Sequence, residues 1–188
     1  MTKKHVALCL ALALTAVLAS ACSGKGDPMD KSSTDVATPT TAASRSTELL
    51  ADHDAVVYTE SGEKRSLSEL AGGKPLVVNI WATWCPHCVD ELPDFLEIYN
   101  DYKDDVAFAF VDATDEAGET VETAAAWLKD NGFEELPDYY DVDYSLAKAF
   151  GINAYPTTIL VNADGEIVAM SAGRIDPAAV HEALDSLT

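Results

Sequence analysis

The chain contains 188 residues, 32 of them acidic and 12 of them Lys or Arg, so its formal net charge is −20 at pH 7. Such a charge excludes nucleic acid as a partner and disfavours charge-driven binding to anionic lipid. The length suits one domain with a full hydrophobic core, placed after a shorter N-terminal region.

We predict that residues 1–21 are a signal peptide. A basic stretch at positions 3–5 is followed by uncharged, Leu/Ala-rich residues from 6 to 19, a run too short to cross a bilayer as a helix. The segment ends at Cys22 in a pattern that resembles the lipobox of bacterial lipoproteins. This resemblance implies export, cleavage before Cys22 and lipidation of that residue. The alternative is an ordinary signal peptide followed by an unmodified Cys22.

Residues 22–47 are predicted to be the lipidated Cys22 and a disordered tether. Ser, Thr, Ala, Pro, Gly and Asp dominate this segment, which lacks apolar periodicity. Residues 48–188 then form one folded domain. The location that follows is extracytoplasmic, anchored at the cell membrane.

The domain is predicted to open with a strand pair that includes an edge strand at Ala55–Tyr58, followed by a helical turn at 66–70. Two nearly continuous apolar runs, Leu76–Trp81 and Val106–Val111, predict strands buried on both faces. Between them, helical spacing of apolar residues predicts a helix from Pro86 to about Lys103. A strand, helix and strand of this length form a βαβ unit, so the two strands are expected to be parallel.

Three further helices and a strand hairpin are predicted after the βαβ unit. The helices are Thr120–Asn131, Tyr144–Phe150 and Pro177–Leu187, and the strands are Thr157–Val161 and Glu166–Ala172, joined by a turn at 162–165. Asp176 is a candidate cap for the last helix. Asp138, Asp141 and Asp143 are expected to form a solvated face.

The cysteine count points to redox chemistry. The chain has four cysteines; cleavage removes Cys9 and lipidation occupies Cys22, which leaves Cys85 and Cys88. In an oxidising compartment this pair is expected to be a disulfide unless something reduces it. Because the bridge would close a very short loop, it would be a poor structural staple. A reactive pair is the better interpretation.

The position of the pair predicts a role for each sulfur. Cys85 lies where the predicted helix begins, and the unpaired N–H groups and dipole of a helix N-terminus stabilise a thiolate. Because the thiolate is the attacking form, Cys85 is expected to attack and Cys88, one turn later, to resolve the mixed disulfide. Pro86 and His87 lie between them, and the imidazole can stabilise the thiolate further. The alternatives are that His87 is an exposed spacer, or that Cys85, His87 and Cys88 bind a metal.

The run Trp84-Cys85-Pro86-His87-Cys88 after a buried strand, with Pro93 beyond it, resembles thioredoxin. The longer run from Pro75 to Cys85, with Glu91 and Pro93, is similar to the TlpA/ResA branch of membrane-tethered thioredoxin-like proteins. The resemblance covers about residues 48–188. It implies a thioredoxin-like α/β fold, in which a central mixed sheet is flanked by helices and an αβ insertion follows the βαβ unit.

The resemblance implies a thiol–disulfide oxidoreductase that needs no cofactor. Its Cys85–Cys88 pair would exchange with cysteines of exported proteins, such as apocytochrome c in cytochrome c maturation. A membrane electron donor or acceptor protein would be its redox partner, and reduction of substrates is favoured over oxidation. The run Ala154-Tyr155-Pro156-Thr157 matches the second family motif. This match implies that Pro156 is a cis-proline facing the dithiol and that Trp84 and Tyr155 face the substrate.

Two positions depart from the related families. Asn79 replaces the buried Asp that accepts a proton in thioredoxin, and Glu91 is a candidate substitute; the alternative for Glu91 is a solvated carboxylate on the helix surface. The dipeptide Pro86-His87 is that of the oxidant DsbA, so a disulfide-forming oxidant is the alternative function. A metal-binding lipoprotein is an alternative from another functional class. A peroxiredoxin-like peroxidase is disfavoured, because Ala82 lies where its motif requires Thr.

Overall fold

The structure is a computed structural model that describes residues 48–53, 55–114 and 116–188. The predicted signal peptide, Cys22 and the tether lie outside these residues. Within the described ranges, no helix combines the length and the apolar character needed to cross a membrane.

The described domain is built on a mixed sheet. Its strands are β1 (Val56–Tyr58), β2 (Lys64–Ser66), β3 (Leu76–Trp81), β4 (Ala107–Asp112), β5 (Asp138–Tyr140), β6 (Thr157–Val161) and β7 (Ile167–Ala172), in the spatial order β2-β1-β5-β4-β3-β6-β7. The helices are α1 (Leu67–Ala71), α2 (Pro86–Tyr102), α3 (Val121–Asp130), α4 (Ser145–Phe150) and α5 (Pro177–Leu187). β3, β4 and β5 are mutually parallel, whereas β6 and β7 pair antiparallel. The predicted thioredoxin-like fold is confirmed, and α3 with β5 forms its inserted αβ segment.

β3 is the strand that leads into the dithiol, and all of its residues are buried. Val77 and Trp81 enter the hydrophobic cluster that includes residues of α2 and α5, whereas Leu76 and Ile80 enter the cluster that includes residues of α1 and α4. This alternation is the two-residue period of a strand covered on both faces. It explains the continuous apolar run, in which Asn79 is the polar exception.

α2 begins directly after the dithiol turn, with Cys85 as its N-cap and Pro86 as its first residue. Proline is tolerated there because a first-turn N–H has no partner within the helix. The helix continues through Pro93 to Tyr102. On its buried face, the Phe95 ring meets a ring of β4 edge-on at 5.7 Å between centroids, a geometry worth about 1 kcal/mol beyond burial.

The predicted elements agree with the observed ones to within one residue at each end. Asp176 caps α5 as predicted, accepting a hydrogen bond from the Ala178 N–H at 3.0 Å. The predicted edge position of the first strand is wrong, because β2 pairs with β1 and lies outside it. β2 is only three residues long and contains Lys64 and Arg65, so it has no apolar pattern that would reveal it.

The prediction of a solvated acidic face at Asp138, Asp141 and Asp143 is confirmed at Asp143, which is exposed, but it is wrong at Asp141, and Asp138 is half-buried. Asp141 is buried, and its carboxylate accepts hydrogen bonds from the Leu146 N–H at 3.1 Å and the Ala147 N–H at 2.9 Å. Asp138 and Asp143 each accept from a tyrosine hydroxyl. The physical reason is that the first N–H groups of α4 lack helical partners and need an acceptor, which Asp141 supplies.

Candidate active site

The Cys85–Cys88 pair lies at the junction of β3 and α2 and is closed as a disulfide, with Cα atoms 5.3 Å apart. Cys85 Sγ also accepts a hydrogen bond from the Cys88 N–H at 3.2 Å. Cys85 is 6 % exposed, whereas Cys88 is fully buried. Only the first sulfur is therefore open to a partner, and it lies at the helix N-terminus, where a thiolate is favoured.

The second predicted motif forms the loop before β6, and its Tyr155–Pro156 peptide bond is cis, as the resemblance implies. The Tyr155 ring meets the Trp84 ring edge-on, with centroids 5.6 Å apart. This contact brings the loop against the dithiol turn. Trp84 is 40 % exposed, Tyr155 is half-buried and Pro156 is buried. The accessible surface next to Cys85 is thus formed by two aromatic side chains.

Asn79 and Glu91 form a polar contact between β3 and α2. Asn79 Nδ2 donates to Glu91 Oε1 at 2.8 Å and to the Thr158 hydroxyl at 3.2 Å. Both Asn79 and Glu91 are almost completely buried. The alternative reading of Glu91 as a solvated surface carboxylate is wrong, because this position lies on the same face of α2 as Cys88.

Burial raises the pKa of Glu91 above its ordinary value, against the opposing effects of the Asn79 side chain, the Ile175 backbone N–H and the Arg174 guanidinium. Glu91 Oε2 has no hydrogen-bond partner among the described residues. A buried carboxyl group with a free oxygen, one helical turn after Cys88, has the chemistry of a proton acceptor.

His87 is exposed to solvent. Its side chain takes part in none of the hydrogen bonds, ion pairs or ring contacts found in the described part of the chain. The helix explains this orientation: Cys88 faces the core, so the preceding residue in the first turn points outward. In this disulfide state the imidazole makes no hydrogen bond to Cys85 Sγ, which agrees with the alternative in which His87 is an exposed spacer.

Two acids that the sequence did not predict contact the active-site loops, and a third lies close to one of them. Glu119 accepts hydrogen bonds from the N–H and the hydroxyl of Thr83, and Glu116 accepts from the Tyr155 hydroxyl at 3.0 Å. Asp112, the last residue of β4, is buried beside them. Their position along the sequence could have revealed these acids, because residues at and after the carboxyl ends of parallel strands commonly form functional sites in α/β sheets.

Metal ligation finds no geometric support within the described ranges. No group of three or more His, Cys, Asp or Glu side chains there is arranged to hold a metal ion. Cys85 and Cys88 use their sulfurs in the disulfide, and the His87 side chain is exposed to solvent.

A thioredoxin-like sheet, a dithiol at the start of a helix and a cis-proline loop against it define the class: a thioredoxin-like redox protein. The chain matches the AhpC/TSA family over residues 47–170 and belongs to that family. It is 32% identical over 124 residues to the thiol-disulfide oxidoreductase ResA of Halalkalibacterium halodurans, which is 66% of this chain and 68% of that protein. It is 32% identical over 139 residues to the thioredoxin-like protein YneN of Bacillus subtilis, which is 70% of this chain and 75% of that protein.

Among solved structures, the exposed lipoprotein thioredoxin Etrx1 of Streptococcus pneumoniae superposes with a TM-score of 0.61 at 28% sequence identity. The superposition covers 70% of this chain and 98% of the pneumococcal chain. The relatives establish the activity: the chain is a thiol–disulfide oxidoreductase, as predicted.

Proposed function

We propose that this protein is an extracytoplasmic thiol–disulfide reductase, anchored to the membrane by lipid on Cys22, that reduces disulfides of exported proteins. The signal-like residues 1–21 and the lipobox-like ending at Cys22 support this location. The pneumococcal protein of the same fold is itself an exposed lipoprotein.

The first step uses the accessible sulfur. The Cys85 thiolate attacks one sulfur of a substrate disulfide, a new S–S bond forms, and the other substrate sulfur leaves as a thiolate. Trp84 and Tyr155 offer an aromatic surface to the substrate. Within the described residues, the backbone N–H and C=O of Tyr155 make no hydrogen bonds. An extended substrate segment can therefore pair with Tyr155 next to the reacting sulfur.

The second step uses the buried sulfur. The Cys88 thiol gives its proton to the Glu91 carboxylate, and the Cys88 thiolate attacks Cys85 Sγ. The Cys85–Cys88 disulfide forms, the mixed disulfide breaks, and the second substrate thiolate leaves. Two electrons have then passed from the protein to the substrate. The dithiol of a membrane electron-donor protein restores the reduced pair by the same exchange in reverse.

The surroundings of Cys85 are the observation that carries the direction of electron flow. A strong oxidant stabilises its reduced form through contacts to the thiolate. In the disulfide state the Cys88 N–H donates to Cys85 Sγ, whereas His87 is exposed and makes no hydrogen bond within the described residues. The net charge of −20 adds a general opposition to another anion, although screening limits the effect of distant charges. The disulfide form thus shows no side-chain hydrogen bond to Cys85 Sγ of the kind with which an oxidant stabilises its thiolate.

The equilibrium reduction potential against glutathione tests this direction. We expect the potential of the wild-type protein to lie near that of thioredoxin, roughly −270 mV. The His87→Ala variant should have nearly the same potential, because the imidazole makes no hydrogen bond to Cys85 Sγ. A value near the roughly −120 mV of DsbA, becoming more negative when His87 is removed, would instead identify a disulfide-forming oxidant.

Trapping experiments test the roles of the two sulfurs. The Cys88→Ser variant should accumulate a mixed disulfide with substrate, because Cys85 attacks but nothing resolves it. The Cys85→Ser variant should lose exchange; retained exchange would overturn the assignment. A peptide carrying the C-x-x-C-H haem-attachment motif in its disulfide form is the substrate with which to test apocytochrome c. One zinc or copper per reduced chain, with thiols closed to alkylation, would favour the metal-binding alternative.

The lipid anchor is tested separately in cells. Wild-type protein should remain with the membrane fraction, and the Cys22→Ser variant should be released or remain unprocessed. Membrane retention of a processed Cys22→Ser protein would contradict the anchor without affecting the redox proposal.

A further inference from the structure

One carboxylate holds the turn that presents the attacking sulfur. Glu119 accepts hydrogen bonds from both donors of Thr83, its hydroxyl and its backbone N–H, the latter at 3.3 Å. Thr83 lies two residues before Cys85, in the turn between β3 and α2. Glu119 is only 6 % exposed, so its bonds to Thr83 are shielded from competition with water.

A second buried acid, Asp112, lies close enough to Glu119 for the two carboxyl groups to interact electrostatically. Asp112 is 1 % exposed and pairs with Trp81, the last residue of β3, in the strand register. Its Oδ1 accepts a hydrogen bond from the Thr114 hydroxyl at 3.0 Å, but its Oδ2 has no hydrogen-bond partner among the described residues. An unsatisfied buried carboxylate is costly. A proton on Asp112 removes that cost, because Asp112 then becomes a donor to Glu119.

We infer that a proton on Asp112, donated to the Glu119 carboxylate, keeps Glu119 in place to position the turn before Cys85 for exchange. Both acids act through Thr83 and are positioning residues. The inference rests on the exchange activity of Cys85 and Cys88 and holds for either direction of electron flow. Its failure would therefore leave the proposed reductase function untouched.

The groups around Asp112 supply no competing cation. Tyr140 of β5 lies near it, but the Tyr140 hydroxyl donates to another carboxylate. Asp141 donates its backbone N–H to the Asp112 carbonyl at 3.0 Å, while its own carboxylate caps α4. Glu116, on the same segment as Glu119, accepts from a tyrosine hydroxyl. These neighbours are acids or phenols, so none of them favours the loss of the proton from Asp112.

Burial, followed by the charge of the nearby Glu119 carboxylate, raises the pKa of Asp112 well above its ordinary value. The proton is therefore retained at a pH at which exposed carboxyl groups have lost theirs. When it leaves, two negative charges face each other in the interior and repel. Glu119 then moves from Asp112 and loosens Thr83, so the turn that carries Cys85 loses its fixed geometry.

The Thr83 amide is a direct reporter of this event. We would follow its proton and nitrogen NMR shifts against pH in the oxidised protein, in which neither cysteine titrates. We expect a transition well above the ordinary carboxyl range of about pH 4. The transition should vanish in the Asp112→Asn variant, because the amide donates to Glu119 at every pH. Glu134→Gln, the same change in charge at an exposed acid, should leave it in place.

The exchange rate is the second readout. Relative to wild type, the rate of the Asp112→Asn variant should rise about tenfold across the transition, the equivalent of one charge-assisted hydrogen bond. A Thr83 amide that titrates only in the ordinary carboxyl range, or a variant whose pH–rate profile runs parallel to that of wild type, would overturn the inference. If the Asp112→Asn variant does not fold, the pH titration of the Thr83 amide in the wild-type protein is sufficient to test the inference.

Discussion

The Asn79 amide donates a hydrogen bond to the Glu91 carboxylate at 2.8 Å, and both side chains are buried between β3 and α2. Thioredoxin-like proteins with an Asp at the strand position place their buried acid on the sheet. Here the strand carries the neutral donor and the helix carries the acid. The proton of Cys88 and its proposed acceptor therefore belong to the same helix, one turn apart.

Replacing Glu91 by Gln should slow the second step of exchange. The amide keeps the shape of the side chain but cannot accept a proton at neutral pH. We expect release of the mixed disulfide to slow about 100-fold, while the first attack by Cys85 changes little. Rapid acid quench followed by mass analysis of the mixed disulfide separates the two steps. Glu97→Gln, at an exposed position on the same helix, is the matched control, and an equal slowing in both variants would refute the role.

Replacing Asn79 by Asp should destabilise the protein at neutral pH. A second carboxylate would then face Glu91 in the interior, and the amide donor would be lost. We expect a cost of about 1–3 kcal/mol in the free energy of unfolding. The loss should shrink as the pH falls, because protonation of either acid removes the repulsion. Urea unfolding at several pH values measures it. The Asn100→Asp variant, which adds the same charge at an exposed position, should show no such loss of unfolding free energy. An equal loss in this variant would show that added negative charge, and not the contact with Glu91, is the cause.

Replacing Asp141 by Ala should weaken the start of α4. Its carboxylate satisfies the N–H groups of Leu146 and Ala147, and loss of such a cap costs about 1–2 kcal/mol. Thermal or urea unfolding of the oxidised protein measures the change. Asp130→Ala, which removes an exposed acid at the end of α3, should cost nothing comparable. Equal stability of the wild type and the Asp141→Ala variant would show that solvent replaces the cap.

Acidification from about pH 8 to about pH 5 should stabilise the fold. Burial is the main cause that raises the pKa values of Glu91, Asp112 and Asp141. The folded state therefore binds more protons than the unfolded state in this range. The stability that these acids contribute is complete below their unfolded pKa of about 4 and is lost as the pH rises through their folded values.

Urea unfolding of the oxidised protein across that pH range tests the sign. The Glu91→Gln/Asp112→Asn double variant should have a smaller slope of unfolding free energy against pH. Acidification relieves general charge repulsion in the wild type and in the double variant alike. The difference between their slopes of unfolding free energy against pH is therefore caused by Glu91 and Asp112. An unchanged slope would contradict their assignment.

Local sequence patterns predicted most of the fold. Periodicity located α2, the apolar run located β3, and the dithiol and Pro156 motifs identified the reactive loops. The helical spacing of Cys88 and Glu91 put both on one face, but it could not show that the face was buried at Glu91. Contacts distant in sequence were beyond reach: Glu119 meets Thr83 across 36 residues.

The adjacency of Cys88 to Cys85 also determines how the protein withstands oxidants. A peroxide that reaches the Cys85 thiolate forms a sulfenic acid, and a nearby thiol condenses with that group to give a disulfide and water. With Cα atoms 5.3 Å apart, Cys88 is positioned to do so before a second oxidation makes the damage irreversible. Cys88, fully buried, is itself shielded from the peroxide. The resolving cysteine thus protects its partner from permanent inactivation, since the product is the ordinary oxidised form.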